Sequence, residues 1–253
     1  IESFVARCEL WETSGSREPV ALAGSLNLNR LVELTSQATA AHHLRLVSDP
    51  ATWTESATWR HRRDRPRFRA ETRLGRVGVL TRLIDTGAQV SLLTRGSTPR
   101  GAQVAAALLD RERPDHGDHP YYGRVVTNAG YTVLQYWFFY YYNPKTYLGF
   151  GAHEGDWEMI QLKIDAISNN PLEATYSQHH DGERCDWIHV PRTASRRPIV
   201  YSAEGSHANY LSPGYHFNLG AEDYTSDDGE HVVPAVSDIT AAPSWVGWIG
   251  QWG

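Results

Sequence analysis

The stretch Gly151-Ala-His-Glu-Gly-Asp-Trp-Glu-Met-Ile-Gln-Leu-Lys-Ile-Asp165 decides how the chain is read. As a β-strand, in which side chains alternate, it puts Asp156, Glu158, Ile160, Leu162 and Ile164 on one face. Trp157, Met159, Gln161, Lys163 and Asp165 then share the other. The two carboxylates thus lie on the more apolar face. As a helix, the same stretch would point Asp156 and Glu158 about 200° apart, where they could not act together. Carboxylates carried side by side into a core repel each other and lose hydration, a cost that a cation, a metal or several hydrogen-bond donors must offset. His153, three residues before Asp156 across a Gly-containing turn, can bring an imidazole nitrogen to the same point. One nitrogen and two oxygens suit a divalent cation without choosing among calcium, magnesium, manganese and zinc. The alternative is neutralisation by an arginine such as Arg124 or Arg184, which would make a buried ion network with no cofactor.

Working outward, the run Tyr136-Trp-Phe-Phe-Tyr-Tyr-Tyr142 reads first as sheet core and second as an aromatic ligand platform. Asn143 ends that run and is placed to add an oxygen to the cation site. Tyr147, Leu148 and Phe150 would be the exposed apolar residues beside the site if the chain bound a membrane. Downstream, Ser177-Gln-His-His-Asp-Gly-Glu183 and Glu204-Gly-Ser-His-Ala-Asn-Tyr210 both place histidine where a strand gives way to a loop. Binding residues gather at such positions. His179 and His207 are therefore the candidates for proton handling; His180 and Asp181 read more readily as structural hydrogen-bonders. The cluster Asp115-His-Gly-Asp-His119 has ligand residue types but no adjoining apolar strand to exclude water, and it reads as a solvated loop.

Strands are expected at 124–127, 132–142, 157–165, 174–179 and 199–203, where aromatic and β-branched runs are broken by Gly, Asn and Pro. Residues 1–120 parse less clearly, with apolar stretches at 26–34 and 75–84, a weak strand at 77–83 and a clear helix at 102–111. These features predict a mainly β protein, an antiparallel β-sandwich with a few peripheral helices. The 253 residues read as a single domain whose β-rich part, 121–253, carries the site.

A formal charge of −5 gives no global attraction for nucleic acid. The arginine-rich Arg60–Arg69 is the one local exception, and it reads first as a solvated loop. Cys8 and Cys185 allow at most one disulfide. No run approaches the roughly 18 apolar residues of a spanning helix. The chain begins at Ile1 without a visible signal peptide, so secreted and cytoplasmic addresses both stay open. There is no Gly-x-Ser-x-Gly elbow, phosphate loop or dinucleotide fingerprint.

An ordered series of motifs resembles the vacuolar protein sorting-associated protein 62 family over residues 120–253. The series is Tyr122-Gly-Arg-Val-Val, Leu134-Gln-Tyr-Trp-Phe-Phe-Tyr-Tyr-Tyr-Asn-Pro144, His153-Glu-Gly-Asp-Trp-Glu158, Ser177-Gln-His179, Val200-Tyr201, Gly205-Ser-His-Ala-Asn-Tyr210 and Trp248-Ile-Gly-Gln-Trp-Gly253. In such families the closing Trp-Gly motif continues further, so ending at Gly253 implies a shortened chain. The Gly-Asp-Trp-Glu core is also similar to the Gly-His-Arg-His-Asp-Trp-Glu heptapeptide of necrosis- and ethylene-inducing cytolysins. That resemblance implies a β-sandwich presenting a cation to sphingolipid head groups, with His153, Asp156 and Glu158 at the matching positions. Glu154 and Gly155 replace the basic residue and histidine of the heptapeptide, a departure that argues against cytolysis while leaving the cation site in place.

Three functions follow from these residues. The first is a metal-dependent enzyme, a hydrolase or lyase, acting on a small or glycosylated substrate, with His207 or His179 moving protons. The second is a binding module in which the cation recognises a lipid or sugar head group. The third is a structural ion site. The enzyme comes first because the second set of histidines exceeds what a closed structural site needs.

Overall fold

A computed structural model describes residues 1–12, 17–36, 42–46, 121–128, 130–143, 153–178, 181–218, 221–229, 231, 233 and 235–252. The expected helix at 102–111, the strand at 77–83, Arg60–Arg69, the 115–119 cluster, Tyr147, Leu148, Phe150, His179 and His180 lie outside them. The protein is mainly β, as expected, with two α-helices among the described residues. None of these helices is long and apolar enough to cross a membrane. Two compact units are built from interleaved segments: Ile1–Arg113, Tyr141–Asp156 and Ala242–Gly253 form the first, and Pro114–Tyr140 with Trp157–Ala241 the second.

In the first unit, α1 (Glu2–Ala6) leads into β1 (Cys8–Glu12), which pairs antiparallel with β2 (His42–Leu46) in the register Cys8↔Leu46 to Glu12↔His42. Alternation along β2 buries His42, Leu44 and Leu46. Its outer edge is taken up by Gln251, whose N–H donates to His42 O at 2.9 Å and whose carbonyl accepts from Leu44 N at 2.8 Å. Helix α2 (Leu28–Thr35) is started by Asn27, whose side chain accepts from Arg30 N at 2.8 Å, and it buries Leu28 and Leu31. The C-terminal tryptophans pack edge to face, Trp248 on Trp252 at 4.9 Å.

Most of a six-stranded sheet lies in the second unit. In chain order its strands are β3 (Tyr121–Asn128), β4 (Tyr131–Asn143), β5 (His153–Asp165), β6 (Pro171–Gln178), β7 (Asp181–Asp186) and β12 (Val236–Asp238), arranged β12-β3-β4-β5-β6-β7. The ladders β3–β4, β5–β6 and β6–β7 are antiparallel, as expected, but β12 joins β3 in parallel through Val236↔Tyr121. A parallel partner needs a long return connection, and the chain from β7 to β12 supplies it. One sheet face buries Ile160, Leu162, Ala174 and Tyr176 against Trp187 and Val190, with Leu134, Tyr136 and Phe138 of β4 packed alongside. This two-layer packing is sandwich-like, and it makes the aromatic run sheet core rather than a platform. On the opposite face Trp157 meets Phe139 at 4.8 Å and Tyr122 at 5.7 Å. Two short hairpins complete the unit, β8 (Tyr201–Ser202) with β9 (Asn209–Tyr210) and β10 (Gly214–Asn218) with β11 (Ala221–Thr225).

The central strands run longer than the sequence suggests. β5 starts at His153 rather than at 157, so no turn separates His153 from Asp156; Gly155 instead holds a left-handed φ of +62° within the strand. The strands at 8–12, 42–46, 181–186, 214–218 and 221–225 were not anticipated, because each is five or six residues long with charged or turn-forming residues inside it.

Candidate functional site

β5 delivers the acids as its alternation predicts: Glu154, Asp156, Glu158, Ile160 and Leu162 are all buried, while the residues between them are only partly so. The boundary between the two units falls after Asp156.

In the first unit Asp156 is 1% exposed. Its Oδ1 lies 3.8 Å from His153 Nε2, and its Oδ2 accepts a 3.3 Å hydrogen bond from the amide nitrogen of buried Asn143 at the end of β4. Of the four residues expected at the cation site, Asn143, His153 and Asp156 lie beside one another in this unit, and Glu158 belongs to the second. Glu154 is the member that sequence reasoning treated only as a departure from a motif. It accepts a 2.6 Å hydrogen bond from Leu46 N, and burial pushes its carboxyl up to about 7 against the opposing effects of that bond and of Arg45. Nearby, burial and then the charges of Glu154 and Glu9 hold the Cys8 thiol well above its ordinary range. Both cysteines are free thiols.

In the second unit Glu158 accepts from Ser177 Oγ at 2.5 Å, and Ser177 Oγ in turn accepts from Met159 N at 2.8 Å. Arg184 reaches Glu173 at 3.8 Å across the β6–β7 ladder on an exposed face. His207 sits in the turn joining β8 to β9 with a left-handed φ of 58°, and its ring stacks on Tyr140 at 3.8 Å and 2°. The turn is closed by His207 N donating to Ala203 O and by Ser202 Oγ donating to His207 O. Asp223 on β11, absent from every sequence-level candidate set, is fully buried and accepts from Ser206 Oγ at 2.6 Å and Tyr210 OH at 2.7 Å. Burial first, then the Asp223 hydrogen bond, pushes the Tyr210 phenol far above its ordinary value. His216 stacks on Tyr210 at 3.7 Å. The only earlier signal for this network was the Ser206–Tyr210 motif itself; nothing in the local spacing pointed to Asp223.

Among the described residues, no group of three His, Cys, Asp or Glu side chains is arranged to hold a metal ion. His153 and Asp156 supply two such groups, and Asn143 adds an amide to them.

Comparison with known proteins places these motifs in a wider context. Residues 124–253, just over half the chain, match the family model described as vacuolar protein sorting-associated protein 62. The putative vacuolar protein sorting-associated protein TDA6 of Saccharomyces cerevisiae is 25% identical over 173 residues, which cover 51% of this chain and 37% of the yeast protein. The chain therefore spans little more than a third of that relative's length. Among solved structures, one described as a toxin fold for microbial attack and plant defence is 14% identical with a TM-score of 0.35, over 52% of this chain and 56% of that one. Non-toxic HaNLP3 is 15% identical with a TM-score of 0.32, over 50% and 54%. NLPPya in complex with glucosamine is 20% identical with a TM-score of 0.30, over 49% and 52%. Overlaps this low transfer no residue's role. The matched motifs run through the same β3-to-C-terminus region that carries the acids of β5 and the 205–210 turn, and the chain belongs to the vacuolar protein sorting-associated protein 62 family.

Proposed function

We propose that the protein is a cation-dependent binding module for a sugar or lipid head group, with His153 and Asp156 holding a divalent ion and Asn143 orienting Asp156. The observation that carries this reading is a buried Asp156 carboxylate with the His153 imidazole 3.8 Å from one oxygen and the Asn143 amide hydrogen-bonded to the other. An imidazole nitrogen and a carboxylate are donors of the kind a divalent ion takes. The 3.8 Å between His153 Nε2 and Asp156 Oδ1 is a spacing that two donors on one ion adopt at ligand distances of about 2.0–2.4 Å. A bound cation would supply a Lewis-acidic point for ligand hydroxyl or phosphate oxygens. The protein's own part is to bury and orient the donors, with Asn143 steadying Asp156 from one side. The likeness of the Gly-Asp-Trp-Glu core to the cytolysin heptapeptide supports the same class of ligand.

Elemental analysis of the dialysed protein tests this, with His153→Ala and Asp156→Ala variants checked for folding. A near-stoichiometric divalent metal in the parent that is lost in the folded variants supports the reading. Titration with a soluble hexosamine, with and without EDTA, then reads ligand dependence on the metal. A metal-free parent sinks the cation reading.

A metal-dependent hydrolase or lyase is the second reading, and His207 is what favours it. His207 has a left-handed φ of 58° and a ring stacked flat on Tyr140, which fixes the imidazole in one orientation at the end of a strand pair. Turnover of chromogenic esters or glycosides that disappears in His207→Asn would support it. Absence of turnover across such a panel with the metal-loaded parent would count against it.

A further inference from the structure

The β10–β11 hairpin has two unlike faces. The inward face is tightly pinned: Asp223 is held by Ser206 and Tyr210, and Thr225 Oγ1 donates to Ser212 O at 3.0 Å. The outward face is aromatic. Tyr215 and Phe217 alternate out of β10 with 66% and 77% of their surface exposed, and Tyr224, 40% exposed, stands directly opposite Tyr215 with ring centroids 4.8 Å apart. Single exposed apolar residues are ordinary, but three neighbouring rings on one rigid ladder form a patch.

Among the described residues, acids lie beside the patch. Glu222 is in register with Phe217, Glu204 N donates to Tyr224 O at 2.9 Å, and exposed Asp227 and Asp228 follow the end of β11. From Pro198 to Gly253 the sequence contains no Lys or Arg, against the seven acids Glu204, Glu222, Asp223, Asp227, Asp228, Glu230 and Asp238. Exposed rings bordered by carboxylates match one kind of occupant: a planar cation whose face stacks on a ring while its edge pairs with carboxylates. Guanidinium does both, whereas ammonium, compact and strongly hydrated, does so less well. An anionic membrane surface would be repelled.

We propose that this hairpin face docks an arginine-rich peptide segment of a partner protein. Holding the hairpin by buried hydrogen bonds on its other side presents the rings preorganised, which lowers the ordering cost of binding.

Fluorescence anisotropy of a labelled octa-arginine peptide against the full chain at low salt tests the proposal, with octa-lysine at equal charge as the comparison. The parent should bind octa-arginine more tightly than octa-lysine. A Tyr215→Ser, Phe217→Ser double variant should weaken octa-arginine binding about tenfold, and Glu222→Gln about threefold, in keeping with exposed cation–π and charge-pair contributions. All three side chains are exposed, so thermal midpoints should match the parent. The proposal is overturned if the parent binds neither peptide or prefers octa-lysine, or if the folded aromatic double variant binds as tightly as the parent. Loss of binding to neutral phosphatidylcholine vesicles in that variant, with peptide binding intact, would likewise overturn it, because the patch would then serve a lipid surface.

Discussion

Glu154 accepts a 2.6 Å hydrogen bond from the backbone N–H of Leu46, so a carboxylate on β5 ties down a strand more than a hundred residues earlier in the sequence. Burial outweighs that bond and raises the carboxyl from an ordinary 4.5 to about 7. Folded Glu154 therefore holds its proton more tightly than the unfolded chain. Its contribution to stability is complete below about pH 4.5 and is lost as pH rises through about 7. The difference corresponds to about 3 kcal/mol. In urea unfolding with EDTA present, Glu154→Gln should flatten the fall in stability across this window; equal slopes for parent and variant would remove Glu154 as its origin.

Gly155 occupies a left-handed φ of +62°, and a Cβ there would collide with the backbone carbonyl of Trp252. Backbone cannot yield as a side-chain tip can. Gly155→Ala should therefore cost at least about 2 kcal/mol, from strain plus displacement of the C-terminal segment. A thermal midpoint within a degree of the parent would show that Trp252 moves aside freely.

Asp223 receives two hydroxyl hydrogen bonds in a fully buried setting. Ser206→Ala and Tyr210→Phe should each destabilise the protein by about 1–3 kcal/mol, since either leaves part of a buried carboxylate without its donor. The two losses should not add, because both act on one carboxylate. A double-mutant cycle in denaturant reads the coupling, and strict additivity would mean that the donors act independently.

Asn209 is 1% exposed, and neither atom of its amide has a hydrogen-bond partner among the described residues. Orphaned buried amide atoms weaken a fold, and an apolar residue of similar size removes the penalty. Asn209→Leu should unfold at the same or higher denaturant concentration than the parent. A loss of more than about 1 kcal/mol would reveal that the amide has a partner in solution, a bound water or ligand.

The sequence was most legible along β5, where one-dimensional alternation is itself the structural rule: Asp156, Glu158, Ile160 and Leu162 are buried together as their spacing requires. The aromatic run of β4 likewise packs as core, since Tyr136 and Phe138 line up with Ile160 and Tyr176 on one sheet face. Strand ends were less legible. A glycine in the left-handed region read as a turn before Asp156, whereas it lies within a continuing strand, with the Trp252 backbone where a Cβ would go. Glu154 looked like a departure from a motif because its partner, Leu46 N, is a backbone group, and backbone groups carry no sequence signature.

By itself the sequence determined that the chain is mainly β and that acids of β5 enter the interior. Those features depend on residues near one another in the chain, where a period of two suffices. Only the tertiary structure decided that Glu154 meets Leu46, that Trp252 requires glycine at 155, and that Asp223 joins Ser206 and Tyr210. Each of these pairs elements separated along the chain. Their meeting is set by how strands pair and layers pack, which no local spacing records.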